Sequence, residues 1–441
     1  MTGGSATNPT EEFQESSWFD RVIFVDLLAT VMLSVLAFGT VEPWSLAIFE
    51  INALVVAVLL ALKFVFDPDA GWRRLRLALP PLALTVWGAI QCTRSLDPYA
   101  TKEATIKLFT LTIYFVASLV TLRDPRRPKA TLLLLTGFGF LVSVYAIANL
   151  LTYNGRIYWI RPVSDYIAPF GPFGNYNHFC GFIELILPLP FAYLLLAKTS
   201  FEQRLIWLFS VVMMAVALIL TLSRGGILTL GVEVLVLLSA VTFGRKWINR
   251  EDPRERAGNG LLILAALAAV AVIAIWLRFD QIVQRFNATR AGASEYSVVT
   301  RIEYWRASWR MFLDHPVAGV GLGAFPAVYP GYGRSTAKYE RLEQVHNDYL
   351  QLLTDAGLIG AALGGWFLFE IVRIARRQLK EIKHARSRAR ALIAGGYTAV
   401  TGLLVHSFTD FNLQIASNAL LFLFVIALTT SITMNGSHSQ R

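Results

Sequence analysis

A histidine lies where a polar segment of this chain gives way to an apolar run. His346 stands in Val345-His346-Asn347-Asp348-Tyr349-Leu350, and the apolar pattern of a helix begins directly after it. A lone histidine is more often structural than catalytic. Here it ends an arginine-rich segment, and neutral imidazole suits a general base near pH 7. We therefore interpret His346 as a candidate base at the boundary between water and lipid.

A short turn between two apolar runs contains a single charge, Arg224, followed by Gly225 and Gly226. Paired glycines let a ligand approach the backbone closely, and the N–H groups that open the next helix can face an anion. The alternative is a cation at a helix end whose side chain simply reaches towards water. We favour an anion site.

A predicted amphipathic helix, residues 300–312, contains further arginines. Arg301 and Trp305 are four residues apart and share one face, while Arg306 and Arg310 share another. Arginine suits planar, bidentate recognition of phosphate. The segment therefore indicates an anion site, with a solvated surface as the alternative.

A glycine-rich stretch follows, Gly319-Val320-Gly321-Leu322-Gly323. It predicts a turn rather than a dinucleotide site, because no strand precedes it and no long soluble helix follows.

Other polar residues border or interrupt apolar runs. The segment 175–178, Asn-Tyr-Asn-His, either binds sugar hydroxyls or caps a helix, and the sequence leaves both open. His406, Asp410 and Asn412 form a similar group. Further candidate contacts are Arg156, Arg161 and Asp165. Glu50, Glu184 and Glu233 lie within apolar runs, and Asp26 lies near the end of one. The sequence shows no partner for any of these four acids.

The sequence offers few acidic residues that could bind a metal ion. Asp67-Pro68-Asp69 falls in a predicted cytoplasmic loop, and the first outer loop has one acid, Glu42. We therefore expect chemistry without a metal or other cofactor.

A transporter would tend to show repeated halves with matched broken helices, and we find no internal repeat.

The composition predicts an integral membrane protein, whose membrane helices would position these residues. Hydrophobic residues make up 55% of the 441, and only 16% are charged, against about 25% in soluble proteins. Two cysteines make no disulfide framework. The net charge of +10 comes from basic residues clustered between apolar runs, which favours an anionic membrane surface over nucleic acid.

Apolar runs near the ~20 residues that a bilayer requires predict twelve membrane helices. They lie at 22–41, 44–66, 77–93, 105–122, 130–152, 179–197, 205–222, 226–243, 260–277, 348–372, 391–408 and 416–434. Loops rich and poor in Lys and Arg alternate without exception, which predicts both termini inside. The predicted organisation is a tail at 1–21, nine helices over 22–277, an outer loop subdomain with short helices at 278–347, three helices over 348–434 and a tail at 435–441.

The motifs together resemble the bacterial O-antigen ligase and O-antigen polymerase superfamily of integral membrane glycosyltransferases. The resemblance covers most of residues 160–430. The residues that carry it are 174–178 (GNYNH), 223–226 (SRGG), Thr300-Arg301 through Trp305, His315-Pro316, 319–325 (GVGLGAF), 346–350 (HNDYL) and 406–412 (HSFTDFN).

This resemblance implies a periplasmic transfer of a polysaccharide from undecaprenyl diphosphate to the lipid A–core oligosaccharide, or to another lipid-linked repeat in polymerases. It implies an inner-membrane location, an inverting, metal-independent reaction and essential roles for Arg224, Arg301 and His346. The substrate-binding residues that we expect are Arg161, Asn175, Asn177, His178, Arg306, Tyr349 and Asp410. A repeat polymerase, a protein O-oligosaccharyltransferase and a polyprenyl-glycan transporter remain alternatives.

Overall fold

The computed structural model describes residues 18–66, 72–163, 169–245, 295–333, 344–382 and 385–432. The predicted span at 260–277, Asp165 and both termini lie outside the described residues. Within them the chain is almost entirely helical. Uninterrupted apolar runs favour helices because a helix satisfies its own backbone hydrogen bonds where no water is present.

Fourteen α-helices are described. They are α1 Trp18–Leu36, α2 Pro43–Phe66, α3 Leu79–Gln91, α4 Pro98–Thr121, α5 Arg127–Leu151, α6 Tyr176–Ile186, α7 Pro188–Leu196, α8 Phe201–Leu220, α9 Arg224–Arg245, α10 Glu295–Asp314, α11 Phe325–Val328, α12 Asp348–Glu381, α13 Ser387–His406 and α14 Ala416–Ser431. Three short 3-10 helices span Trp72–Ala78, Tyr329–Gly331 and Asn412–Gln414, and strands β1 Arg156–Ile157 and β2 Arg161–Pro162 pair antiparallel.

Among the described residues, seven helices are long and apolar enough to cross a membrane. They are Pro43–Phe66, Pro98–Thr121, Arg127–Leu151, Tyr176–Leu196, Phe201–Leu220, Arg224–Val241 and Asp348–Glu381. They support the predicted all-helical, multi-pass architecture. Helices α1, α3, α13 and α14 coincide with further predicted spans but are not among these seven, so the count of twelve and its orientation remain predictions.

The stretch Tyr176–Leu196, which comprises α6 and α7, lies at the centre of the described bundle. In its apolar window 89% of the residues are buried. Helix α13 packs along both α6 and α7 and also against α9 and α14. Polar side chains on the inner faces of these helices are therefore enclosed by protein.

Helix α12 is broken at Gly357, whose φ is +65°. The glycine-rich loop docks at this break: the N–H groups of Val320 and Gly321 donate to the carbonyls of Thr354 (3.0 Å) and Asp355 (2.9 Å). A Cβ on Gly319 would overlap the Asp355 carbonyl, so the loop requires glycine there. The predicted turn thus anchors the predicted outer subdomain to the first helical segment of α12, before Gly357.

The predicted outer subdomain has a small apolar core of its own among the described residues. The predicted amphipathic helix is confirmed as α10, and its apolar face packs against α11 and the segment that leads into α12. Its buried members are Ala307, Met311, Val320, Ala324, Phe325, Tyr329 and Val345. This core fixes α10 relative to the start of α12.

Candidate active site at the outer end of the bundle

His346 is held in a left-handed backbone conformation immediately before the cap of α12. Its φ is +57°, and Asn347 caps the helix by accepting a hydrogen bond from the Leu350 N–H at 3.0 Å. On the other side, the Val345 N–H donates to Oε1 of Gln351 at 2.8 Å. A left-handed residue other than glycine costs about 1–3 kcal/mol and persists where its surroundings impose it. These contacts therefore fix the direction of the imidazole.

The His346 ring lies between aromatic side chains and a carboxylate. It is nearly parallel to Tyr304, with an interplanar angle of 14° and centroids 6.3 Å apart, and edge-on to Phe411 at 4.7 Å. Its Nδ1 is 3.4 Å from Oδ1 of Asp410. The side chain keeps 26% of its surface exposed. Because Nδ1 faces the carboxylate, Nε2 is the nitrogen left for an incoming group.

Arg301 converges on the same carboxylate from α10. Its Nη1 donates to the Thr409 carbonyl at 2.7 Å, and its Nη2 lies 3.9 Å from Oδ2 of Asp410. The side chain is 27% exposed. The structure thus brings together Arg301 and His346, which are 45 residues apart in the sequence, through one loop between α13 and α14.

Asp410 lies beneath both residues, with only 1% of its side chain exposed. Burial alone would raise its pKa. The contact with His346 and the charges of His346, His406 and Arg301 outweigh burial and hold the pKa of Asp410 below its ordinary value. The carboxylate therefore stays ionised between two cationic or basic groups, and its buried position favours orienting them over touching substrate.

Arg224 is the first residue of α9 and is exposed. Its neighbour Ser223 caps the helix: Oγ accepts from the Gly226 N–H at 3.1 Å and donates to Oδ1 of Asn177 at 2.7 Å. A Cβ on Gly225 would lie 2.6 Å from Nε2 of His406. The glycine pair therefore serves close packing of α9 against α13 and α6, which brings Arg224 to the same end of the bundle as His406.

A buried pair that the sequence analysis missed lies behind these residues. Nδ1 of His406 is 2.9 Å from Oε2 of Glu184, and both side chains are at most 1% exposed. An acid inside a membrane protein calls for a partner, and that rule was the available signal. Glu233 is buried against Gly402, and Gly402 lies on α13 one turn before His406. Asp26, on α1, accepts a hydrogen bond from Asn52 on α2 at 3.1 Å.

The remaining predicted site residues make structural contacts. Asn175 caps α6 by accepting from the Asn177 N–H at 2.8 Å, which supports the capping interpretation of this motif. His178 is buried with its ring edge-on to Phe411 at 5.0 Å. The Tyr349 hydroxyl donates to the Leu404 carbonyl at 2.7 Å. The His178 contact holds the start of α6 against the α13–α14 loop, and the Tyr349 contact holds the start of α12 against α13.

Arg161 and Arg306 lie in other surroundings. Arg161, on β2, forms a salt bridge with Glu42 and stacks over Phe38 at 4.0 Å, so its described contacts are with the α1–α2 loop. Arg306 is exposed on the face of α10 away from the Arg301 contacts. There it lines an open pocket with Val299, Ile302, Glu303, Arg310, Gly331, Tyr332 and Gly333. Within the described residues, no three His, Cys, Asp or Glu side chains gather as metal ligands would.

A comparison with protein families matches residues 209–364 to the family described as O-antigen ligase. The matched stretch begins within α8, ends within α12 and contains Arg224, Arg301 and His346. The match confirms the resemblance to the O-antigen ligase superfamily over this part of the chain. No curated protein matches the chain.

Proposed function

From this family match and the site geometry, we propose that the protein is an O-antigen ligase of the bacterial inner membrane. It transfers a polysaccharide from undecaprenyl diphosphate to a hydroxyl of the lipid A–core oligosaccharide at the periplasmic face. The observation that carries the proposal is the convergence of His346 and Arg301 on buried Asp410, at the outer end of apolar helices.

His346 is the proposed general base. Asp410 faces Nδ1 at 3.4 Å and orients the ring, which leaves Nε2 free to accept the proton of the acceptor hydroxyl. The hydroxyl oxygen forms a bond to the anomeric carbon as the bond from that carbon to the diphosphate oxygen breaks. Attack from the opposite side inverts the anomeric centre, and the proton resides on His346 until solvent removes it.

Arg301 and Arg224 are the proposed diphosphate contacts. The leaving group departs with growing negative charge, and guanidinium groups fixed in place stabilise that charge without reorganising during the step. Arg301 is fixed by Thr409 and Asp410, and Arg224 by its place at the capped start of α9. The N–H groups of that first turn add partial positive charge on the same side.

The acceptor is proposed to bind on the other face of α10, where Arg306 lines the open pocket. Lipid A–core oligosaccharides are anionic, and two arginines with Tyr332 offer charge and an aromatic face. The Tyr329 carbonyl accepts hydrogen bonds from the N–H groups of Tyr332 and Gly333, which line this pocket. Its ring packs edge-on to Tyr304 at 5.3 Å, and Tyr304 lies nearly parallel to His346. A row of aromatic rings therefore connects the pocket to the proposed base.

The other predicted contacts are proposed to act from behind the site. Asn175, Asn177, His178, Tyr349 and Asp410 place the helix ends, and Arg161 joins the two outer loops. The same chemistry would serve a repeat polymerase or a protein O-oligosaccharyltransferase, and the acceptor distinguishes them. A polyprenyl-glycan transporter is less well supported, because it needs no oriented histidine.

The test is glycan transfer by purified protein, with undecaprenyl diphosphate-linked glycan and lipid A–core, without ATP. His346→Ala should lower turnover by roughly 10²–10⁴-fold while donor binding persists. The matched control is His315→Ala, another outer histidine, which should retain turnover. The wild-type rate should rise with pH, because only a neutral imidazole accepts a proton.

Three results would contradict parts of this proposal. Near-normal turnover of His346→Ala would place the base elsewhere. Inhibition by EDTA that Mg²⁺ or Mn²⁺ reverses would show that a metal takes part. Transfer to a lipid-linked repeat or a protein, with none to lipid A–core, would favour the corresponding alternative.

A further inference from the structure

We propose that His406 and Glu184 form a positioning pair that holds all three segments of the active site in register. The inference rests on the proposed function, because it concerns how Arg224, Arg301 and His346 are kept together. His406 is the last residue of α13, and Glu184 lies on the central helix α6. The pair joins them at 2.9 Å.

The imidazole of His406 supports the segment that begins with Arg224. Its Nδ1 faces Glu184, and its Nε2 lies against Gly225, where a Cβ would be 2.6 Å away. Glu184 therefore sets the plane and depth of the ring, and the ring sets how closely α9 approaches. A change in this ring would displace the first turn of α9 and Arg224 with it.

The backbone of His406 supports the segment that contacts Arg301 and His346. Its carbonyl accepts hydrogen bonds from the N–H groups of Thr409 (2.8 Å) and Asp410 (3.1 Å). Thr409 in turn accepts from Arg301, and Asp410 faces both Arg301 and His346. Each proposed catalytic side chain is thus one or two contacts from His406.

The start of α12 depends on the same loop. Ser407 donates its hydroxyl to Oδ2 of Asp348 at 2.8 Å and accepts the Asp348 N–H at 2.9 Å. Asp348 follows His346 by two residues. The position of His406 at the end of α13 is therefore transmitted to the proposed base through Ser407 as well as through Asp410.

The burial of the pair distinguishes positioning from direct catalysis. The His406 side chain is 1% exposed and that of Glu184 is fully buried, so neither touches a substrate in the outer site. A buried polar group that loses its partner is costly, and the surrounding structure shifts to satisfy it. Shifts of about 1 Å at reacting groups can cost ~10²-fold in rate.

The experiment compares Glu184→Ala and His406→Ala with the conservative Glu184→Gln and His406→Gln. The alanine variants should lower kcat on the order of 10²-fold and raise KM for the lipid diphosphate, because Arg224 moves. Glu184→Gln keeps a hydrogen-bonding side chain of the same shape and should recover most of the activity. The remaining activity of His406→Gln should keep the wild-type pH profile.

The matched control is Gln378→Ala. Gln378, on α12, is also buried, and its Oε1 accepts from the hydroxyl of Tyr397 at 2.7 Å; Tyr397 lies on α13, nine residues before His406. It should leave kcat unchanged. A second route to the same contact is Gly225→Ala, which should lower kcat as His406→Ala does, because its Cβ presses on the ring.

Hydrogen exchange of the peptides 222–228 and 406–412 tests the pair without relying on transfer. Exchange should accelerate in both peptides in His406→Ala and stay unchanged in Gln378→Ala. Unchanged exchange in His406→Ala would overturn the inference even if no transfer were detected, whereas a wild type without transfer would instead overturn the proposed function. Alanine variants with the kcat of Gln378→Ala, or a His406→Gln variant whose rate no longer depends on pH, would also overturn it.

Discussion

Replacing Arg301 with lysine separates bidentate geometry from mere charge. The guanidinium uses two nitrogens on the α13–α14 loop, Nη1 at 2.7 Å from the Thr409 carbonyl and Nη2 at 3.9 Å from Asp410. A lysine ammonium is a point charge that can replace only one of these contacts while facing a diphosphate. Arg301→Lys should therefore keep the charge but lose its fixed direction.

The expected loss follows from the contact that is removed. A hydrogen bond to a charged group contributes about 1.5–3 kcal/mol, and each ~1.4 kcal/mol of barrier changes a rate tenfold. Arg301→Lys should thus lower kcat by roughly 10–10²-fold. Arg301→Ala removes the charge as well and should cost on the order of 10³-fold, the upper range for one transition-state donor.

Single-turnover transfer measures the chemical step, and binding of labelled lipid diphosphate measures the donor contact separately. Arg94→Lys is the control for the same chemical change, because Arg94 is exposed in the loop after α3 and plays no part in the proposed site. Full activity of Arg301→Lys would refute the argument from geometry and favour a general positive field. Equal losses in Arg94→Lys would refute a specific role for Arg301.

Two further predictions concern stability and orientation. Because the pKa of Asp410 is lowered in the folded protein, its carboxylate stabilises the fold above the ordinary carboxyl pKa, and this stabilisation is lost as pH falls towards the folded-state value. Asp410→Asn should therefore lower the free energy of unfolding by about 1–3 kcal/mol near pH 7, with a smaller difference from wild type in acid; equal melting temperatures at pH 7 would contradict this. Reporter fusions after residue 256 and near residue 335 should read cytoplasmic and periplasmic, and the same side for both would show a miscounted span.

Much of the fold could be predicted because apolar runs determine where helices form in a membrane. A helix stands at each predicted span within the described residues. Hydropathy did not reveal the break at Gly357 in α12. This break depends on a loop some 35 residues earlier docking onto it, and no periodicity within α12 encodes that contact.

The sequence identified the residues of the candidate site that are at least partly exposed, but not how the buried residues beneath them support them. Residue type and position identified Arg224 at the start of an apolar run, Arg301 on an amphipathic helix and His346 directly before an apolar run as candidates. Asp410 was expected to bind substrate, whereas its burial under His346 and Arg301 favours an orienting role. Glu184 and His406 are 222 residues apart, so only the packing of α6 against α13 shows that they pair.

Backbone conformation explains why local sequence preferences do not predict the geometry of the candidate site. His346 and Leu222, each just before the cap of a helix at the site, have φ values of +57° and +55°. Intrinsic preference opposes such conformations in residues other than glycine, so they exist because tertiary contacts impose them. Beside His346 that contact is the bond from the Asp348 N–H to the Ser407 carbonyl, and after Leu222 it is the bond from Ser223 to Asn177. Each left-handed turn leads into the N-terminus of a helix, and the N–H groups at a helix N-terminus favour an anion such as the proposed diphosphate.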